Sequence, residues 1–156
     1  MKILPTLEGG LRFDAEDAGD WAFLQAIIHD ASHRGSDLAR DLAELLHDDE
    51  GADDWQEYVV PDLSDEFQNQ ISFIAGAIES AMEKSNGGPG SLWITRESGL
   101  LWYGALNQAR LSIESRHQFG TSEDVDVAAL LPEDRSAFLR SQFYLAVQGL
   151  LLEHVM

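Results

Sequence analysis

From Ala15 to about Leu46, apolar side chains recur at alternating intervals of three and four: Trp21, Leu24, Ile28, Ala31, Gly35, Leu38, Leu42 and Leu45. A helix advances about 100° per residue, so this spacing stacks them into one stripe that must be buried against something. A strand would scatter the same residues over both of its faces. Two later stretches carry the same signature. One runs Leu63, Phe67, Ile71, Ile74, Ile78 and Met82; the other includes Trp102, Leu106, Ala109 and Ile113. The final stretch differs. Phe138, Leu139, Phe143, Ala146 and Leu150 make one face, while Tyr144, Leu151 and Val155 line nearly the opposite one. A helix apolar most of the way round is either the central helix or one that lends its second face to a partner subunit.

Breakers and caps divide these stretches. "SNGGPGS", residues 85–91, is the clearest interruption, and Gly35-Ser36 can interrupt the first helix. Asp14 is a candidate N-cap for the first helix, Asp62 or Ser64 for the second, and Thr95 for the third. Pro132 suits the first turn of the last helix. "FGTSEDVDVAALLPED" reads as a connection with at most one helical turn. Before all of this, "KILPTLEGGLRFD" reads as a β-hairpin turning at Gly9-Gly10, where a positive φ is needed. Two strands are marginal alone, so they should lie on the helical body. The expectation is a mainly α fold in one domain spanning 1–156. It is a bundle of four to five helices, about 15–47, 62–84, 95–118 and 132–155, with a small N-terminal hairpin at 2–13.

Charge narrows the partners. Ten Lys+Arg against 28 Asp+Glu give a formal net charge of −18. Nucleic-acid binding rests on clustered cations that neutralise phosphate, and no basic run here exceeds one residue. Direct nucleic-acid binding and anionic membrane surfaces are both disfavoured. An acidic coat is compatible with solubility, or with an inhibitor that mimics DNA. There is no cysteine, which excludes disulfides, thiolate metal sites and Cys nucleophiles. "MKILPTLEGG" is broken at once by Pro5 and Glu8, unlike a signal peptide, and no apolar run approaches the roughly 20 residues of a membrane span. The expected location is the cytoplasm.

Few residues suggest chemistry. In "IIHDASH", His29 and His33 stand four apart beside Asp30, as in a metalloprotease helix. With the stripe centred near Ile28 and Ala31, they fall about 140° and 180° away, on the polar face. No third ligand is indicated, so no metal site is expected. "HDDE" at 47–50 lacks the alternating ligand order of a calcium loop and reads as a solvated charge run.

Arg110 is the sharper case. It lies between Leu106 and Ile113, beside Trp102 and Tyr103, with Asn107 and Glu114 at i−3 and i+4. A guanidinium on an apolar stripe needs partners, because unpaired burial is costly. One reading is a structural ion pair with Glu114 or with an acid from another helix; the other is a clamp for an anion or carboxylate. Gln148 falls similarly among Tyr144, Leu151 and Val155, as a hydrogen-bonding residue at a helix contact or an interface. No P-loop, G-x-G-x-x-G or G-x-S-x-G occurs. No catalytic set and no cofactor are expected.

"EGGLRFDAEDA", "ITRESGLLWYGALNQARLSIESRH" and "FYLAVQGLLLEHV" together resemble an uncharacterised bacterial family of unknown function. Its pattern is a Gly-Gly hairpin before a long helix, then a Thr-capped helix with Trp…Ala-Leu-Asn-x-x-Arg-Leu, then a terminal helix with Leu-Gln in an apolar context. Here these are Trp102, Ala105-Leu106-Asn107, Arg110-Leu111 and Gln148. The middle of the chain departs from the Arg-rich middle associated with that family. The resemblance implies a mainly helical domain, often encoded beside a Clp-protease adaptor and sometimes labelled a transcriptional regulator. It carries over Asn107, Arg110 and Gln148 as motif residues without an active site. The combined expectation is a non-enzymatic regulatory or protein-interaction domain, self-associating as a homodimer. The alternatives are a small anionic-ligand binder or enzyme centred on Arg110, with Asn107, Glu114 and Gln148, and an acidic DNA mimic.

Overall fold

The computed structural model describes residues 1–32 and 60–156. Two strands, β1 (Lys2–Pro5) and β2 (Leu11–Ala15), form the expected antiparallel hairpin, with Leu4 opposite Arg12. A third strand, β3 (Gly90–Ile94), pairs antiparallel with β2, so the sheet has the order β1-β2-β3. The sequence reading did not contain β3, because "GSLWI" follows the glycine-rich breaker and is too short to show a period. Alternation decides its faces. Leu11, Phe13, Ala15, Leu92 and Ile94 point into the core, while Arg12, Asp14 and Trp93 face outward. On the outer face the Arg12 guanidinium sits 5.4 Å from the Trp93 ring centroid and pairs with Asp14.

The two glycines of the hairpin turn serve different needs. Gly9 has φ +84°, a left-handed conformation that L side chains rarely adopt. At Gly10 the reason is space: a Cβ there would collide with the backbone carbonyl oxygen of Ile94 on β3. The third strand is thus what makes the second glycine necessary.

Among the described residues four helices follow: α1 (Ala18–Ser32), α2 (Val60–Lys84), α3 (Gly99–His117) and α4 (Pro132–His154). The fold is mainly helical with a small N-terminal sheet. α1 begins later than expected, because residues 14 and 15 belong to β2. Its cap is Asp17, whose Oδ1 accepts the Asp20 N–H at 3.0 Å, whereas Asp14 accepts from Ser91 and Arg12 on the sheet. The buried line of α1 is Trp21, Leu24, Ile27 and Ala31; Ile28 is only partly buried. The continuation to residue 47, with Gly35, Leu38, Leu42 and Leu45, lies outside the described residues. α2 starts at Val60, so Pro61 and Asp62 stand inside its first turn and neither Asp62 nor Ser64 is a cap. Gln70, Ile71, Ile74 and Ile78 are its buried residues, and Leu63, Phe67 and Met82 of the expected stripe are partly buried.

Thr95 caps a 3-10 turn, Arg96–Ser98, that leads directly into α3. Its N–H donates to Ser98 Oγ at 3.1 Å. The centre of the bundle is α3, which packs against α1, α2 and α4. Ala105, Ala109 and Ser112, all buried, keep it narrow enough for three neighbours. α4 is therefore not central. It buries Ala137, Phe138, Tyr144, Val147, Gln148 and Leu151, and leaves Leu139, Leu145 and Leu152 exposed. Between α3 and α4 the chain makes two short 3-10 turns, Ser122–Asp124 and Val127–Ala129. Arg135 donates to the carbonyls of Val127, Ala128 and Leu130 and fixes the second of them. No described helix is long and apolar enough to cross a membrane.

Candidate functional site

Early residues of α3 meet late residues of α4, so the two helices run antiparallel. Gly99 lies against Val155, Tyr103 bonds to Gln148, and His117 pairs with Asp134 at 2.8 Å. Between them lies a groove of about 440 Å³, lined by residues that include Asn107, Arg110, Leu111, Glu114, Phe119, Phe138, Ser141 and Leu145. Its wall on the connection side depends on how α3 ends. Gln118 takes a left-handed conformation, φ 52°, and Gly120 follows at φ +71°. The reversed chain is pinned by the Gly120 N–H, which donates to Glu114 Oε1 at 2.9 Å. Phe119 then stacks on His117 at 5.3 Å and meets Phe138 edge-on at 5.4 Å.

Arg110 is half-buried on one side of this groove. Its Nη1 donates to Gln148 Oε1 at 2.7 Å. Gln148 is buried, and its own Nε2 donates to the Tyr103 carbonyl at 3.3 Å, which fixes the amide so that its oxygen faces the guanidinium. The Arg110 Nε is buried without an acceptor. Glu114, one helical turn on, is exposed and turned to Gly120; Asn107 is exposed at the other end of the groove. Of the four residues singled out in the sequence, Asn107, Arg110 and Glu114 line the groove from α3, and Gln148 reaches Arg110 from α4 without lining the groove itself.

A second polar cluster lies deeper. Asp30, fully buried on α1, accepts four hydrogen bonds from two other helices. Arg140 donates from Nε at 2.8 Å and Nη2 at 3.1 Å, Arg116 from Nη2 at 3.0 Å, and the Tyr144 hydroxyl at 2.7 Å. Burial pushes the Asp30 carboxyl up, but the hydrogen bonds from Arg140, Tyr144 and Arg116 and the Arg140 charge outweigh it and hold it below the usual carboxylate range. Tyr144 is pushed well above the ordinary phenol value, by burial and then by the Asp30 charge. Two guanidiniums facing one carboxylate leave the cluster with one surplus positive charge.

A family model for a domain of unknown function, DUF2017, matches residues 3–155. The chain belongs to the DUF2017 family. No curated protein and no solved structure matches it.

The residues of this DUF2017 chain that stand out in the sequence do not include the Asp30 hub, where Asp30 shows only as the neighbour of His29. Its signal was an acid one step off the stripe, three residues after Ile27, matched by Arg116 three after Ile113 and Arg140 four before Tyr144. A second missed pair is Gln70 and Gln108, buried and joined at 2.6 Å, with the Gln70 amide lying over Gly104. His29 is exposed on α1, opposite the buried line. His33 and the acidic run at 47–50 lie outside the described residues. Among the described residues no group of three or more His, Asp or Glu is arranged to hold a metal.

Proposed function

We propose that this DUF2017 domain is a non-enzymatic protein-interaction module of the cytoplasm, and that it pairs with a second copy of itself through α4. One observation carries the reading. Residues 141–152 contain no charged side chain, in a chain of which 24% is charged and whose net charge is −18. Two copies repel each other over most of such a surface, and of the equally long uncharged stretches 67–78, 98–109 and 141–152 the last exposes the most large apolar side chains.

That stretch also has the right shape. Gln142, Leu145, Gly149 and Leu152 follow each other at spacings of three and four on the outer face of α4, the period of a helix-pairing stripe, and Met156 continues the spacing just past its end. Leu145, Leu152 and Met156 are 43%, 55% and 49% exposed, which leaves their apolar surface for a partner to cover. Gly149 stands within the helix, where glycine is roughly 1 kcal/mol less favourable than alanine. Nothing among the described residues explains it, since a Cβ there would meet no atom within 4 Å. A second backbone passing close by supplies a reason.

Sedimentation velocity over a concentration range of about 1–200 μM tests the proposal. The mass is expected to rise to that of a dimer, more readily in salt that screens the repulsion. Leu152→Glu should hold the chain monomeric without loss of helix. A strict monomer throughout, or a dimer indifferent to Leu152→Glu, refutes it.

A further inference from the structure

We infer that the groove between α3 and α4 binds a small organic carboxylate with an apolar body, its acid group held by Arg110. The contrast among three arginines carries this. Arg116 and Arg140 meet the Asp30 carboxylate, whereas among the described residues Arg110 meets only the neutral amide of Gln148. No described carboxylate stands in ion-pair contact with Arg110. A guanidinium has five N–H donors. Gln148, itself fixed by the Tyr103 carbonyl, occupies one nitrogen and sets the plane of the group without neutralising it. The buried Nε still lacks an acceptor. The cation is positioned, partly desolvated and uncompensated by any described carboxylate, and an incoming carboxylate supplies that charge through charge-assisted hydrogen bonds.

The walls select the rest of the ligand. Leu111, Phe119, Phe138 and Leu145 are apolar, and about 440 Å³ suits a ring or branched chain. Glu114 stands one helical turn from Arg110, held at Gly120, so the acid end lies toward Arg110 and the apolar body toward Phe119 and Phe138. The same acid disfavours a doubly charged phosphate beside a single cation. The site does not depend on self-association, although Gln142 and Leu145 belong to both surfaces.

The full chain is titrated by calorimetry and by amide NMR with phenylacetate, 2-phenylethanol and inorganic phosphate, with its mass followed in parallel. Phenylacetate should bind saturably, with shifts centred on 107–114, 119–122 and 138–145. Binding should be at least about tenfold weaker for 2-phenylethanol, and for phenylacetate with an Arg110→Met variant that melts as the parent does. Should Arg110→Met fail to fold, Ser141→Asp adds a like charge to the groove wall and must weaken phenylacetate while sparing the alcohol. No saturation by about 10 mM, equal binding of the alcohol, preference for phosphate, or indifference to both variants overturns the inference. The mass readout separates this result from the dimer question, because binding by a strict monomer leaves the groove assignment intact.

Discussion

Asp30→Asn keeps the shape of the buried hub and removes its charge. Four hydrogen bonds from Arg116, Arg140 and Tyr144 converge on the carboxylate, and the asparagine oxygen can keep at most two of them. Worse, the new amide is itself a donor turned toward guanidiniums. Breaking a buried ion pair by removing one partner costs about 3–5 kcal/mol. Arg116 and Arg140 are 23% and 19% exposed, so water screens part of their repulsion, and the lower end, about 3 kcal/mol, is expected. At roughly 2–4 °C per kcal/mol for a domain of this size, the melting temperature should fall by about 6–12 °C. Urea unfolding followed by tryptophan emission measures the loss, since Trp21 and Trp102 are both buried.

Acid gives the second arm of that experiment. The folded-state pKa of Asp30 lies below its ordinary value, so its stabilisation is complete above the ordinary carboxylate range and is lost as pH falls through the folded value. The gap between parent and Asp30→Asn must therefore narrow on acidification. A loss under about 1 kcal/mol at neutral pH, or a gap that does not narrow, refutes the account of the hub.

Tyr144→Phe removes one donor to the same carboxylate and should cost about 1.5–3 kcal/mol by urea unfolding. In the parent, burial and the Asp30 charge keep the Tyr144 hydroxyl protonated, so its phenolate absorbance should appear only together with loss of helix in alkali. Gly10→Ala drives a methyl group into the Ile94 carbonyl and should cost about 1–3 kcal/mol in thermal melts, in contrast to a surface substitution.

Periodicity made the helices legible. The stripes of α2 and α3 appear in the sequence because each helix buries one arc against neighbours, and Trp102, Leu106, Ala109 and Ile113 are all buried as the spacing required. β3 was illegible because five residues beside a glycine cluster carry too little pattern. α4 was misread as a possible centre because its apolar residues surround the axis, whereas the narrow residues Ala105, Ala109 and Ser112 put α3 there. Arg110 was visible as a charge on an apolar stripe, but its partner Gln148 lies 38 residues away, and only packing brings the two together. Asp30 was less visible still. It stands beside the exposed His29, and nothing local announces a carboxylate whose partners lie 86 to 114 residues downstream.

Those separations bear on how the domain assembles. α1 docked on α3 alone encloses the Asp30 carboxylate with Arg116 but without the bidentate Arg140 or the Tyr144 hydroxyl, and α4 docked alone carries Arg140 inward with no counter-ion. Each intermediate leaves part of the Asp30 network unmade, so partial packings are penalised and the three helices should lock in one step. A chain wired this way should unfold all-or-none, with the first, third and last helices losing protection from hydrogen exchange together.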